Sequence, residues 1–318
     1  PEACRIEPQH TGEAQALITV GSKDWVELAE GRLDLQEATA TGRIRSNHMG
    51  GLVKFGHLFD LTTLGSPKEA ASPGILSEEI VGTVVRSEPV FCRPEEMIRY
   101  ARSVGADLPI YTDTEQPGGL RAHPLYPVAI IHDLFRKTFT DGILSGVDIS
   151  RMVHGEQRME YFRPLRAWDL VSPRGRITRI DKKSSGEILR VEQNLFVEGE
   201  LAVRIETGLF FRGPSSGKGS STSQKVASED SPSPLFQRSL SVAEKAPWIY
   251  AEASGDDNLI HVDPEFARAV GFPGVILQGL CTLGMATTML VEEIADGDPN
   301  ALDQVKVRFR KPVFPGDE

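Results

Sequence analysis

An acid, an amide and an imidazole crowd into the stretch Asp256-Asp257-Asn258-Leu259-Ile260-His261. A carboxylate and an imidazole can hold one water molecule between them and exchange protons with it, as general acid–base chemistry requires. The same residues also read as a solvated turn, because Gly255-Asp256-Asp257-Asn258 is good turn composition and a single histidine usually serves structure. The flanking elements decide how the loop is presented. Ala246 to Ser254 reads as a short helix closed by Gly255. Asp263 can cap a further helix, with Pro264 at its first position and Gly271 past its end. After Pro273-Gly274 a long helix is expected from Ile276 to about Ile294. Ile276, Leu277, Leu280, Leu283, Met285, Met289, Leu290 and Val291 go round most of its circumference, so it should be buried on nearly all sides. Gly279, Gly284 and Ala286 leave room for close backbone approach. Val305 to Phe309 alternates and reads as a strand. A curved antiparallel sheet around one buried helix satisfies both patterns.

The loop belongs to one half of an internal repeat. Tyr100 to Asp107 lies over Tyr250 to Asp257, with Ile110 meeting Ile260 and Asp113 meeting Asp263. Pro127 to Leu134 lies over Pro273 to Leu280, Glu160 to Leu165 over Arg308 to Val313, and Asp169 over Asp317. Blocks in one order at a nearly constant spacing indicate a duplicated domain. In the first copy Ala106, Leu108 and Tyr111 stand where the second has Asp256, Asn258 and His261. Polar groups kept in one copy only point to one active site per repeat pair. The first copy continues with Arg174–Ile180, Glu187–Val197 and Leu201–Phe211, which read as antiparallel strands. The second copy stops just after Asp317, short of their equivalents, so the chain is expected to be a fragment of a longer protein.

Two breaks divide the 318 residues, a length that suits about two domains. The stretch 213–239 is dense in Ser, Gly, Pro and Lys and reads as a linker. A shorter break runs from Gly65 to Gly74. The segments are therefore 1–64, 75–212 and 240–318. A net charge of −10 argues against a nucleic-acid protein, which would carry a basic face. No apolar run reaches the roughly 18 residues of a membrane span. Cys4, Cys92 and Cys281 form no disulfide framework, which fits a reducing compartment. No His/Cys/Asp cluster has metal-ligand spacing, so no metal is expected.

The run Tyr250-x3-Ser254-Gly255-Asp256-x-Asn258-x-Ile260-His261, then Asp263-Pro264, then Ile276-Leu277-Gln278-Gly279-Leu280-Cys281-Thr282-Leu283-Gly284, resembles the MaoC-like, hydratase-2 enzymes. The resemblance covers 240–318 strongly, and 75–212 resembles the non-catalytic half of the double-hotdog members. It implies an α+β double hotdog with the second hotdog incomplete. The reaction implied is addition of water to trans-2-enoyl-CoA to give (R)-3-hydroxyacyl-CoA, or the reverse. Asp256 and His261 would be the acid–base pair and Asn258 would orient the water. Gly279 would donate its N–H to the thioester carbonyl, a sensible place for the negative charge that develops there. Ser254, Gly255 and Gln278 would contact substrate. Arg308, Arg310 and Lys311, with Lys306, either meet CoA phosphates or form a solvated strand face. The family commonly has Pro at the position of Leu259 and His at that of Gln278. No cofactor is implied beyond the CoA of the substrate. A homodimer is expected, in the cytoplasm or, in a eukaryote, the peroxisome.

The first segment passes from a strand at Ile18–Val20 into a helix with Ser22 as cap. Thr41 to Arg45 reads as a strand, and a final helix starts at Gly51. The pattern Asp24-Trp25-x2-Leu28-Ala29-x-Gly31-x-Leu33-Asp34, then Ala38, Gly42-Arg43-Ile44 and Asn47-x-Met49, resembles the C-terminal part of SCP-2-type sterol-carrier domains. It implies a partial α/β lipid-carrier segment. Two other readings of the chain remain: an acyl-CoA or lipid-binding protein on a hotdog scaffold, and a hotdog thioesterase.

Overall fold

The computed structural model describes residues 18–29, 33, 38–39, 41–46, 76–140, 143–144, 147, 152–213 and 235–318. The chain divides into two compact units, Pro1–Lys68 and Glu69–Glu318. Most of the 213–239 stretch, the Gly65–Gly74 break, the helix expected from Gly51, and Gly31, Asp34, Asn47 and Met49 lie outside the described residues.

In the first unit β1 (Ile18–Val20) pairs antiparallel with β2 (Ile44–Ser46), and α1 (Ser22–Ala29) lies between them in the chain. Ser22 is the first residue of the helix, and the Gly21 carbonyl takes the Trp25 N–H, so the helix opens one residue earlier than expected. Strand β2 begins only at Ile44, because Gly42, at φ 71°, turns the chain just before it. Leu28, Leu33, Ala38 and Ile44 form a small core, clamped outside by Arg43, which bonds Asp24 at 2.8 Å and also Glu27.

The second unit is built on a seven-stranded sheet. Its strands are β3 (Val84–Arg86), β4 (Val90–Phe91), β5 (Met152–Tyr161), β6 (Leu170–Lys183), β7 (Gly186–Val197), β8 (Glu200–Arg212) and β9 (Gln304–Arg308). The order is β3-β6-β7-β8-β5-β9, with β4 also on β6, and every pairing is antiparallel. The meander β6–β8 contains the strands expected after Asp169. Against the sheet lie α2 (Pro94–Ser103), α3 (Pro109–Thr112), α4 (Pro127–Ile130), α5 (His132–Thr140), α6 (Ala246–Ser254), α7 (Leu259–Val262), α8 (Pro264–Ala269) and α9 (Gly279–Glu293). One core joins residues of both repeats, among them Tyr100, Leu125, Ile205, Tyr250, Cys281 and Val305. No described helix is long and apolar enough to cross a membrane.

Helix α9 starts later than its apolar pattern suggests. Gln278 has φ −58° and ψ 133°, and the residues before it bond like a strand: Ile276 N–H to Ile260 O and Leu277 N–H to Val313 O. Nor is the helix buried on nearly all sides. Cys281, Leu283, Thr287, Thr288 and Val291 are buried, but Leu290 is 40% and Ile294 beyond it 51% exposed.

The repeats pack about a local two-fold. The hydroxyls of Tyr100 and Tyr250, equivalent residues on α2 and α6, meet at 3.1 Å, with their rings edge-on. Phe309 N–H bonds Gly155 O while Tyr161 N–H bonds Asp303 O, the same bond made twice. Asp169 accepts from Arg166 N–H just as Asp317 accepts from Phe314 N–H. The first and last blocks of the sequence register therefore stand. The middle block does not. Arg121 N–H bonds Ile110 O as Ile276 N–H bonds Ile260 O, and Ala122 N–H bonds Leu165 O as Leu277 N–H bonds Val313 O. His123, not His132, is thus the counterpart of Gln278, and Pro124 is that of Gly279. The apolar likeness of Pro127–Leu134 to Pro273–Leu280 comes from burial and not from position.

His123 is fully buried, bonded to Thr288 Oγ1 at 3.2 Å and accepting from Leu125 N–H through Nδ1. Burial pushes its pKa down to about 3. Between its unfolded pKa of about 6.5 and that value, only the unfolded chain binds the proton, so stability falls by about 1.4 kcal/mol for each unit that the pH is lowered. His123→Gln is expected to flatten this acid limb by about 2 kcal/mol between pH 6.5 and 5, read from urea unfolding at the two pH values.

Candidate active site

Helix α6 ends where Gly255 turns left-handed at φ 82°, its N–H on Ala251 O. Ser254 ties the turn together. Its Oγ–H donates to Tyr250 O at 2.7 Å, and the oxygen accepts from Asp256 N–H at 3.2 Å. Asn258 caps α7, its Oδ1 accepting from Ile260 N–H at 3.2 Å. That short helix carries His261 back over the loop. Asp263 caps α8 by accepting from Glu265 and Phe266 N–H, and Pro264 opens the helix as expected.

The two groups that could do chemistry face each other. His261 Nε2 lies 4.0 Å from Asp256 Oδ2. His261 Nδ1 is 2.7 Å from the Ile276 carbonyl. A carbonyl oxygen only accepts, so Nδ1 carries a proton, and in the neutral imidazole Nε2 presents its lone pair toward the carboxylate. The imidazole is largely buried and the carboxylate one-third exposed. Ile276 belongs to the lead-in of α9, so the helix start and the histidine are locked together.

Gln278 makes the matching link to the acid. Its Nε2 donates to Pro247 O at 2.9 Å and to Asp256 O at 3.1 Å, and the residue is 1% exposed. The expectation that Gln278 touches substrate is corrected by this burial: both amide hydrogens are taken by carbonyls, and the side chain braces the loop. Ser254, 5% exposed, is likewise a brace and not a contact surface. Gly255 stands exposed beside His132, whose Nδ1 would lie 3.0 Å from any Cβ there.

Gly279 opens α9, and the Gln278 side chain does not cap the helix. Its N–H points from the positive end of a helix of 15 residues. The Phe309 ring covers the position, 3.1 Å from where a Cβ would sit, which is why glycine is needed. Strand alternation puts Val305, Val307 and Phe309 on this inner side and Lys306, Arg308 and Arg310 on the outer face. The structure therefore does not bring Arg308 and Arg310 together with the Asp256–His261 pair. Arg308 is instead bonded to Glu156 at 2.7 Å, and Lys311 is exposed.

Sequence reasoning missed Phe309 as the cover of the helix start, and His154. The His154 ring meets Phe309 edge-on at 5.4 Å, and its Nε2 faces Gln157 Oε1 at 2.9 Å. Burial holds His154 below its usual pKa, against the opposing pull of Gln157 and Asp256. It reaches the site from the first repeat across a break in the β5–β8 register, a placement with no local signal.

The first repeat has lost the site three times over. Ala106 and Tyr111 replace the acid and the imidazole. Pro124, at the counterpart of Gly279, has no N–H, and the next amide, Leu125 N–H, is already bound to His123. Among the described residues no three His, Cys, Asp or Glu side chains gather as a metal would require.

The chain is similar to several known proteins. Residues 226–318 match the family described as MaoC like domain, and residues 79–204 match the FAS1-like, dehydratase domain region. The chain is 34% identical over 204 residues to enoyl-CoA hydratase 2, peroxisomal, of Arabidopsis thaliana, covering 58% of this chain and 65% of that protein. It is 28% identical over 283 residues to peroxisomal multifunctional enzyme type 2 of Mus musculus, covering 84% and 38%. Among solved structures, a MaoC-like dehydratase from Phytophthora capsici superimposes with a TM-score of 0.61 at 24% identity, over 75% of this chain and 85% of that one. The chain thus spans 65% and 38% of the length of the two curated relatives. The structural likeness is one of fold: hotdogs of antiparallel sheet and helix.

Proposed function

From the premise that this chain belongs to the MaoC-like hotdog dehydratases, with a FAS1-like region ahead of the MaoC-like domain, we propose that it adds water reversibly to trans-2-enoyl-CoA, giving (R)-3-hydroxyacyl-CoA. The observation that carries the reading is the Asp256–His261 pair with its tautomer fixed by Ile276. One water donating both hydrogens at about 2.8 Å holds its two acceptors about 4.4 Å apart. The 4.0 Å between Nε2 and Oδ2 suits that bridge and is too long for a direct hydrogen bond.

The chemistry then follows from position. Nε2 and the carboxylate both accept from the water, so its oxygen gains nucleophilic character and attacks C3 of the enoyl group. Charge moves to the thioester oxygen, where the Gly279 N–H and the end of the α9 dipole stabilise it. A proton from the pair goes to C2, which completes the addition of one water. Asn258 spends its oxygen on capping α7, leaving its amide hydrogens for the water. The dehydratase and hydratase names of the relatives support this reading, and "peroxisomal" in those names supports the peroxisome over the cytoplasm. Adding crotonyl-CoA to the chain should bleach the ultraviolet absorbance of the conjugated enoyl thioester catalytically. Stoichiometric binding without bleaching would point to a carrier, and release of free thiol to a thioesterase.

A further inference from the structure

The outer face of the sheet, opposite the candidate active site, holds a groove of about 500 Å³. Six cations line it: Arg158, Arg179, Arg190, Lys306, Arg308 and Arg310. Only two carboxylates, Glu156 and Glu206, line it with them. Such a surplus stands out in a chain of net charge −10.

The cations are held in place. Glu156 accepts from Arg190 and from Arg308, so one carboxylate fixes two guanidinium planes side by side. Asp181 takes the other edge of Arg190 at 2.8 Å and also bonds Arg179. Arg158 is fixed by Glu160 and Gln304. Lys306 and Arg310 have no ion-pair partner among the described residues, and both are exposed. Counting Asp181 and Glu160 still leaves the groove positive. Unneutralised like charges in a concave site raise the local potential and draw in an anion.

We infer that this groove is a binding site for the phosphate groups of a small polyanion, separate from the Asp256–His261 pair. Its volume falls in the small-molecule range of roughly 300–1,000 Å³. Its lining is charged, which disfavours an acyl chain. The ion-paired arginines hold positive charge around the groove, while the exposed Lys306 and Arg310 keep their donors for phosphate oxygens, Arg310 two at a time. The phosphates have two possible sources. They are either those of the CoA substrate or those of a free phosphorylated compound. The first source rests on the hydration reading and the second does not.

The test titrates the full chain calorimetrically with inorganic pyrophosphate, comparing wild type with the exposed double variant Lys306→Glu/Arg310→Glu. The expected result is saturable binding by wild type that weakens at least about 10-fold in the variant and also weakens with added salt. Absence of binding, or equal binding by a variant whose circular dichroism matches wild type, overturns the inference. This readout needs no turnover, so it fails independently of the hydration reading. The sources separate in KM. A rise for crotonyl-CoA but not crotonyl-pantetheine assigns the groove to the substrate's own phosphates. An unchanged KM beside lost pyrophosphate binding assigns it to a free phosphate compound.

Discussion

Asp256→Asn and His261→Ala are each expected to lower the rate of enoyl-CoA hydration about 10²–10⁴-fold with the fold kept. Asparagine keeps the size of the aspartate side chain. The bonds that brace this loop are made by backbone atoms, Asp256 N–H to Ser254 and Asp256 O from Gln278, and they survive the change. What is lost is an acceptor on the water. Replacing His261 also removes the bond to Ile276 O, which costs about 1 kcal/mol of stability and leaves the rest of α7 capped by Asn258. If the two groups act on one water, as proposed, the double variant should be little worse than the more damaging single one. Steady-state rates with thermal melts as control check this. A near-normal rate in either single variant removes that residue from the mechanism.

The second large effect concerns the helix start. Gly279→Pro removes the N–H that the proposed mechanism directs at the thioester oxygen, and proline is well tolerated at the first position of a helix. An added Cβ would crowd the Phe309 ring at 3.1 Å, so the change is made with Phe309→Leu, and Gly279→Ala with Phe309→Leu serves as the control that keeps the N–H. The proline variant is expected to lose about 10²–10³ in kcat relative to that control, with a smaller change in KM. The first repeat carries this replacement already, with Pro124 at the equivalent place. Equal kcat in the proline and alanine versions would take the oxyanion role from Gly279.

The loop that carries the candidate site was legible because its signals are local. Gly255 ends one helix, Asn258 and Asp263-Pro264 open the next two, and each acts within a few residues of itself. What depends on contacts far along the chain was not. The start of α9 is set by strand-like bonds to Ile260 and Val313 and not by its own apolar pattern. The middle of the repeat was misaligned because two buried segments share composition without sharing position. Gln278 reads as a substrate contact until its amide is seen holding Pro247 and Asp256. The alternation that revealed β9 also dictated that Lys306, Arg308 and Arg310 face away from Phe309, yet which side held the site needed the fold. His154 arrives from another repeat, and nothing near it in the chain announces its destination.

The most direct test of the hydration mechanism is the mass and configuration of the product formed from crotonyl-CoA. The expected product is an intact CoA thioester heavier by one water, with the R configuration at C3 and its formation slowed at least about 10²-fold in Asp256→Asn. Recovery of unchanged crotonyl-CoA, or of free CoA with crotonate, would contradict it.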